Sequence, residues 1–561
     1  MKLNNPKKWE DILQYTALVL LLVLINIHSG QWFFRWDLTD EKRYTISGAS
    51  KELLSGLNDV VYVEVYLDGD LNSEFRRLQK AIRETLEEFK IFGGKNLEFK
   101  FTDPNEAPTA QARNRFYQQL VQKGLPYTNV FDVVEGERKE QILFPGAIIT
   151  YKNREKPVLL LKGNKAASEQ EQLNQSVEGI EFELASAIGQ LVATQKKSIA
   201  FIEGHDELNQ VQTADITTSL SEGYIVDRVR LEQTDLSRYD ALIIAQPKKK
   251  FSELDKFKLD QYVMRGGNVL FFMDKVQMNL DSISQGGTYA FGYDLNIEPL
   301  LFRYGVRVNI DLLKDQQAGA VEVVTGTFGN RPRTQTLPWV YYIYLNKFSE
   351  HPIVRNMDVI YGKFLSTIDT VKAEGVTKTP LVYTSKYTQV KGIPSMIDLN
   401  EIREDANRDL YNRQHLPVAY LLEGKFKSLY ANRFPPKGAE GTEIVKQGNQ
   451  AKILVFSDGD ILRNEINPRN NNVQPIDFDP FRQQSLSNKE FILNTLSYMT
   501  DKGGLIASRN KSITLRPLDM PRVREEKIYW QILNVALPVA LIIVFGIGRY
   551  YLRKRKYERK A

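Results

Sequence analysis

Two long uncharged stretches, one near each end, constrain this chain more than any other feature. Between Asp11 and Arg35 lie 23 residues without a formal charge, centred on the apolar run 16–27. Between Lys527 and Arg549 lie 21 more, including 535–547. About 20 predominantly apolar residues cross the hydrocarbon layer as a helix, so transmembrane helices are expected over 12–34 and 528–548. Aromatic side chains flank both: Trp9, Trp32, Phe33, Phe34 and Trp36 on the first, Tyr529, Trp530, Tyr550 and Tyr551 on the second. Such residues favour the membrane interface, and Pro538 is tolerable inside a membrane helix.

Charge sets the expected orientation. Arg549, Arg553, Lys554, Arg555, Lys556, Arg559 and Lys560 form a basic tail over 549–561, which favours a cytoplasmic C-terminus. Two crossings then put residues 1–11 in the cytoplasm and the bulk of the chain outside. The alternative for the first stretch is a cleaved signal peptide, but its apolar region is long and no small-x-small site follows cleanly.

The chain has 561 residues, too many for one core, so two to four domains are expected. It has no cysteine, which excludes disulfides, thiolate metal sites and a Cys nucleophile. The net charge of +6 belongs to the tails: residues 1–11 carry +1 and 549–561 carry +6, leaving −1 between them. A nucleic-acid binder places its excess on a folded face, so no nucleic-acid partner is expected.

Periodicity divides the middle. Strands are expected at 60–67, 97–102, 130–135, 140–151 and 156–162, and helices at 73–92 and 110–123. This β-α-β-α-β-β order resembles a thioredoxin-like fold without its Cys-x-x-Cys. A helix over 177–192 closes an ectodomain spanning 35–192. Over 193–515, strands at 198–203, 225–230, 241–245 and 269–273 alternate with helices at 215–222 and 252–265, the latter capped by Ser252 and stopped at Gly266-Gly267. Such alternation implies a doubly wound α/β sheet. An insertion over about 290–450 separates these from a further apolar strand, 452–456, and a helix over 488–500. Residues 516–527 read as a linker.

Little in this chain announces catalysis. There is no G-x-x-x-x-G-K-[S/T], no H-E-x-x-H and no G-x-S-x-G, and only four histidines. Ligands of doubly wound sheets bind beyond the carboxyl ends of the strands. Glu203, His205, Asp206, Glu207, Asp274, Asp458 and Asp460 all stand at such ends. Together they could hold a cation or a sugar hydroxyl; equally, Gly and Asp at strand ends serve turns and caps. Neither a metal nor a cofactor is required by any motif.

Just after the first apolar stretch comes Phe34-Arg35-Trp36-Asp37-Leu38-Thr39, then Lys42-Arg43-Tyr44-Thr45-Ile46-Ser47. Locally, Ser47 suits the cap of a helix at 48–55. This membrane-exit motif resembles that of the GldG family, the gliding-motility-associated auxiliary proteins of an ABC transporter. Phe201-Ile202-Glu203-Gly204-His205-Asp206-Glu207, Tyr239-Asp240-Ala241-Leu242-Ile243-Ile244, Gly266-Gly267-Asn268-Val269-Leu270 and Gly424-Lys425-Phe426 follow in that family's order. The α/β part also resembles the glutamine-amidotransferase-like, flavodoxin-like domain shared with intraflagellar transport proteins. Amidotransferases need a Cys nucleophile, so here the fold would serve binding.

The resemblance implies a GldF-like permease and a GldA-like cytoplasmic ATPase as partners, with envelope or motility components beyond them. It implies an inner-membrane location in bacteria that glide and export adhesins, with the ectodomain in the periplasm. The expected function is a non-enzymatic auxiliary subunit. The alternatives are a solute-binding subunit for a sugar or glycan, and a glycan hydrolase using the strand-end carboxylates.

Overall fold

The computed structural model describes residues 13, 15–24, 45–134, 137–162, 168–279, 283, 287–328, 331–399, 401, 408–466, 472–501, 503–510 and 520–558. The chain divides into two units, Met1–Ser512 and Ile513–Ala561. Of the membrane-exit motif Thr45, Ile46 and Ser47 lie among the described residues; Arg35, Trp36, Asp37, Leu38, Thr39 and Tyr44 lie outside them.

Ser47 caps helix α1 (Gly48–Ser55), its hydroxyl accepting from the Ser50 N–H at 3.2 Å. Helix α2 (Ser73–Gly93) presents Phe75, Leu78, Ile82, Leu86 and Phe89 at three- and four-residue spacing, and all are buried. They cover a sheet of β1 (Val61–Val65), β2 (Leu97–Phe101), β5 (Gly146–Tyr151) and β6 (Arg154–Leu159), in the order β2-β1-β5-β6. β1 and β2 are parallel; the other pairs are antiparallel. Helices α3 (Ala110–Gln122) and α4 (Glu169–Val192) complete this part.

One expected strand, 140–151, is in fact two. β4 (Glu137–Leu143) ends before Phe144-Pro145 and β5 begins after it. Proline has no N–H for a ladder, so the pairing stops there. β4 instead pairs with β3 (Thr128–Val134) in a separate ribbon.

The second sheet has eight strands. Five are parallel: β8 (Tyr224–Arg230), β7 (Lys197–Glu203), β9 (Ala241–Ala245), β10 (Asn268–Phe272) and β14 (Gln447–Phe456), adjacent in that spatial order. Counting only these, the order is 2-1-3-4-5, one of the two common doubly wound arrangements. Successive residues point to opposite faces. Ile199, Phe201, Ile243, Leu270, Phe272 and Phe456 pack against helices α5 (Ala214–Ser221) and α7 (Asn488–Thr500). Ala200, Ile202, Leu242, Val269, Phe271 and Val455 pack on the other side against α6 (Glu253–Met264) and the helix Glu298–Tyr304. Strands buried on both faces must be apolar throughout, which is why β9 reads Ala-Leu-Ile-Ile-Ala.

The inserted segment does not merely interrupt this sheet; it extends it. β11 (Lys347–Phe348), β12 (Val376–Tyr383) and β13 (Pro417–Lys427) add antiparallel strands beyond β14, so the sheet is mixed. β13 covers the edge that β14 would otherwise leave unpaired. The rest of the insertion builds small sheets and a long hairpin, Ala318–Phe328 with Arg331–Leu345.

In the other unit, Lys527–Glu558 forms helix α8. Its portion Lys527–Leu552 is long and apolar enough to cross a membrane, and none of it is buried in the protein. Near the N-terminus, Tyr15–Leu24 is a shorter apolar helix, and residues 25–44 lie outside those described.

Candidate functional site

Strands β10 and β14 carry nearly parallel messages: Val-Leu-Phe-Phe-Met-Asp ending at Asp274, and Ile-Leu-Val-Phe-Ser-Asp ending at Asp458. The ladder aligns Val269 with Ile453 and Phe272 with Phe456. Asp274 and Asp458 therefore emerge at the same level, two residues past the last paired positions. Asp460 follows in the first turn after β14. One carboxylate oxygen from each of the three lies within 4.8 Å of the others.

Each oxygen of the two inner carboxylates accepts one hydrogen bond. Asp458 is fully buried and accepts from the Lys363 and Asp460 N–H groups, each at 2.7 Å. Asp274 accepts from the Gly459 N–H at 2.7 Å and the Gln246 Nε2 at 2.5 Å. Arg463 Nη1 stands 3.6 Å from Asp460, and Lys363 Nζ is bonded to Glu465 at 2.8 Å. Burial, then the Asp460 charge, raises the Asp274 carboxyl above the usual range; burial, then Asp274 and Asp460, does the same to Asp458. Three anions this close in a low dielectric repel strongly, so the group calls for a proton or a cation. Glycine at 459 is required sterically: a Cβ there would lie 2.5 Å from the Gln246 Cβ and Cγ.

The other strand-end residues do not join this group. His205 is buried between Glu207, 3.0 Å from its Nδ1, and Asp255, 3.2 Å from its Nε2. Its ring stacks on Phe251 with centroids 3.7 Å apart. Burial opposes the imidazolium, but the bonds to Asp255 and Glu207 outweigh it and hold the pKa up at about 9. Asp255 is also the third residue of the Ser252 capping box on α6. His205 thus clamps the loop after β7 to the start of α6. Its carbonyl further accepts from the Lys248 and Lys249 N–H groups. Glu203 pairs with Arg228. Asp206 is exposed at φ 61°. Burial, then the Asp274, Asp206 and Asp460 charges, raise the pKa of the Tyr293 hydroxyl.

Two participants, Gln246 and Asp255, are not among the strand-end residues expected from the sequence. Gln246 directly follows the apolar strand β9, so the strand-end rule would have found it had uncharged residues been admitted. Asp255 stands three residues after the expected cap Ser252, in the first turn of α6.

Two cavities among the described residues are lined by other side chains. One of about 550 Å³ is lined by Met273, Lys275, Phe302, Arg303 and Arg433 among others. Another of about 480 Å³ runs between Phe182 of α4 and Tyr224 and Lys489 of the second sheet's layers.

The molecule is an α/β protein with a doubly wound sheet and a C-terminal helix of membrane-crossing length. The chain belongs to the family described as an ABC-type uncharacterized transport system, whose model matches residues 196–495. Residues 40–150 match a domain of unknown function. An uncharacterized protein of Borreliella burgdorferi is 21% identical over 466 residues, covering 80% of this chain and 83% of that relative. Among solved structures, the mmIFT52 N-terminal domain is 13% identical with a TM-score of 0.31, covering 54% of this chain and 97% of that one. The exo-β-1,4-mannosidase Op5Man5 from Opitutaceae bacterium strain TAV5 is 10% identical with a TM-score of 0.20, covering 79% of this chain and 50% of that one.

Proposed function

We propose that this chain is a non-enzymatic, membrane-anchored auxiliary subunit of an ABC transporter complex of the GldG type. Its partners are then a GldF-like permease and a GldA-like ATPase, and the complex serves gliding motility and adhesin export. One observation carries the reading: a member of an ABC transport family bears a helix of membrane-crossing length and no phosphate-binding P-loop. An engine and a pore must then come from other chains.

On this reading both apolar stretches span the inner membrane, and the folded body faces the periplasm. The order β2-β1-β5-β6, with one parallel and two antiparallel pairs, supports a thioredoxin-like N-terminal part. The 2-1-3-4-5 order supports a flavodoxin-like, amidotransferase-like second part whose inserted strands adapt it to binding. The hydrolase alternative fares poorly. Glycosidase carboxylates stand about 5–9.5 Å apart across a substrate cleft, whereas this group is tighter and Asp458 is enclosed.

Affinity purification of the tagged full chain from native membranes in mild detergent tests the partnership. An ABC permease and an ABC ATPase should co-purify. Their repeated absence overturns the proposal. Topology has its own test, because the chain lacks cysteine. A single Cys at Asp70 should react with an impermeant maleimide from outside, and one at Lys554 only after permeabilisation.

A further inference from the structure

We propose that Asp274, Asp458 and Asp460, beside the buried Gln246 amide, form a binding site for one hard divalent cation. Three carboxylates alone would not establish this. The second observation is Gln246. This side chain is only 4% exposed, and its Nε2 is held on Asp274. Its Oε1 is buried and has no hydrogen-bond partner among the described residues. A buried acceptor left unmade costs free energy, and here it sits on an amide already anchored to the carboxylate group.

The ligand chemistry follows from the atoms present. Every candidate ligand is oxygen; no thiolate exists in the chain, and His205 is engaged elsewhere. An all-oxygen set selects Ca²⁺, Mg²⁺ or Mn²⁺ over zinc or copper. Three oxygens share a centre about 2.4 Å from each, the calcium–oxygen distance, when they stand up to roughly 4.2 Å apart; here they lie within 4.8 Å of one another. Magnesium, at about 2.0–2.1 Å, needs them within roughly 3.6 Å.

The fold explains why the site is rigid. Gly459 has no Cβ to push Gln246 away, and its N–H holds Asp274. Gly362 leaves room beside Asp458, where a Cβ would come 3.0 Å from Oδ2. A cation here joins the ends of β9, β10 and β14, three adjacent strands of the sheet. The site does not depend on the transport reading.

The test uses the full chain in detergent, stripped with EDTA and titrated with CaCl₂, MgCl₂ or MnCl₂ in a calorimeter, with melting followed in parallel. One Ca²⁺ per chain should bind with Kd on the order of 0.1–1 mM, as in extracellular calcium modules, and should raise Tm. Asp460→Asn, at a partly exposed position, should fold and weaken binding at least about tenfold. Gln246→Ala should also weaken binding. If Asp458→Asn fails to fold, Asp460→Asn and Gln246→Ala carry the test. No stoichiometric binding of any of the three ions at about ten times that Kd would overturn the proposal. So would binding that Asp460→Asn and Gln246→Ala leave unchanged. A protein whose Tm rises in Asp458→Asn without responding to cations would point to a shared proton and would equally overturn it.

Discussion

Raising the pH from 6 to 10 should cost this protein stability through His205, and the structure gives the size of the loss. The imidazole has an ordinary pKa of 6.5 and is held at about 9 between Asp255 and Glu207. A folded-state pKa above the unfolded one stabilises the fold fully below about pH 6.5, and that contribution is lost as pH rises through 9. At 1.36 kcal/mol per pKa unit the gap amounts to about 3 kcal/mol. That is a large part of the margin of an ordinary domain. The measurement is chemical denaturation of the full chain in detergent across this range, beside a His205→Gln variant. The wild-type advantage over the variant should shrink by roughly that amount between pH 6.5 and 9.5. Proton NMR of the imidazoles gives an independent reading, since the chain has only four histidines. His351 should behave oppositely: burial, then the Lys452 charge, push it down to about 4. A His205 resonance titrating near 6.5, or a wild-type advantage that does not change with pH, would refute the clamp.

Other outcomes follow from single positions. Gly424→Ala should destabilise the fold by about 3 kcal/mol or more, because Gly424 sits at φ 148° and a Cβ would approach the Gly375 carbonyl oxygen to 2.0 Å; a melt within two degrees of wild type would contradict it. Asp260→Leu should cost about 3–5 kcal/mol. That carboxylate is fully buried and accepts from Ser428 Oγ, the Leu429 N–H, Tyr304 Oη and Gln261 Nε2; guanidinium unfolding measures the loss. Gly459→Ala should both lower Tm and lose cation affinity, since a Cβ there would meet Gln246 Cβ at 2.5 Å and its backbone Cα at 2.9 Å; a melt and calorimetry measure the two effects. Truncation before Lys527 should leave the chain in the membrane fraction after carbonate washing, and removal of 12–34 as well should release it.

Much of the architecture is legible without coordinates because its signals are local. The apolar run of α8, the Ser252 cap and the Ser47 cap each depend on residues within a turn of one another. The doubly wound part is legible because strands buried on both faces must be continuously apolar, as in 241–245 and 269–273. Strand boundaries blurred where one residue decides: Pro145 splits 140–151, yet apolar residues continue on either side. That three antiparallel strands join the sheet beyond β14 is not legible in the sequence, since the β-rich runs 376–383 and 417–427 carry no mark of the neighbour they pair with. Edge pairing is chosen by which neighbour is free, not by composition.

The candidate site divides the same way. By itself, the amino-acid order determined that Asp274, Asp458 and Asp460 end apolar strands, and so which end of the sheet they occupy. Only the tertiary structure decided that Asp274 and Asp458 meet. Their strands are separated by 174 residues from the end of β10 to the start of β14, and ladder register is a long-range property. It likewise decided that His205 stands apart, because its partner Asp255 comes from another helix. Spacing along a chain specifies local conformation; which distant charges share a cavity is set by how sheets and helices close over them.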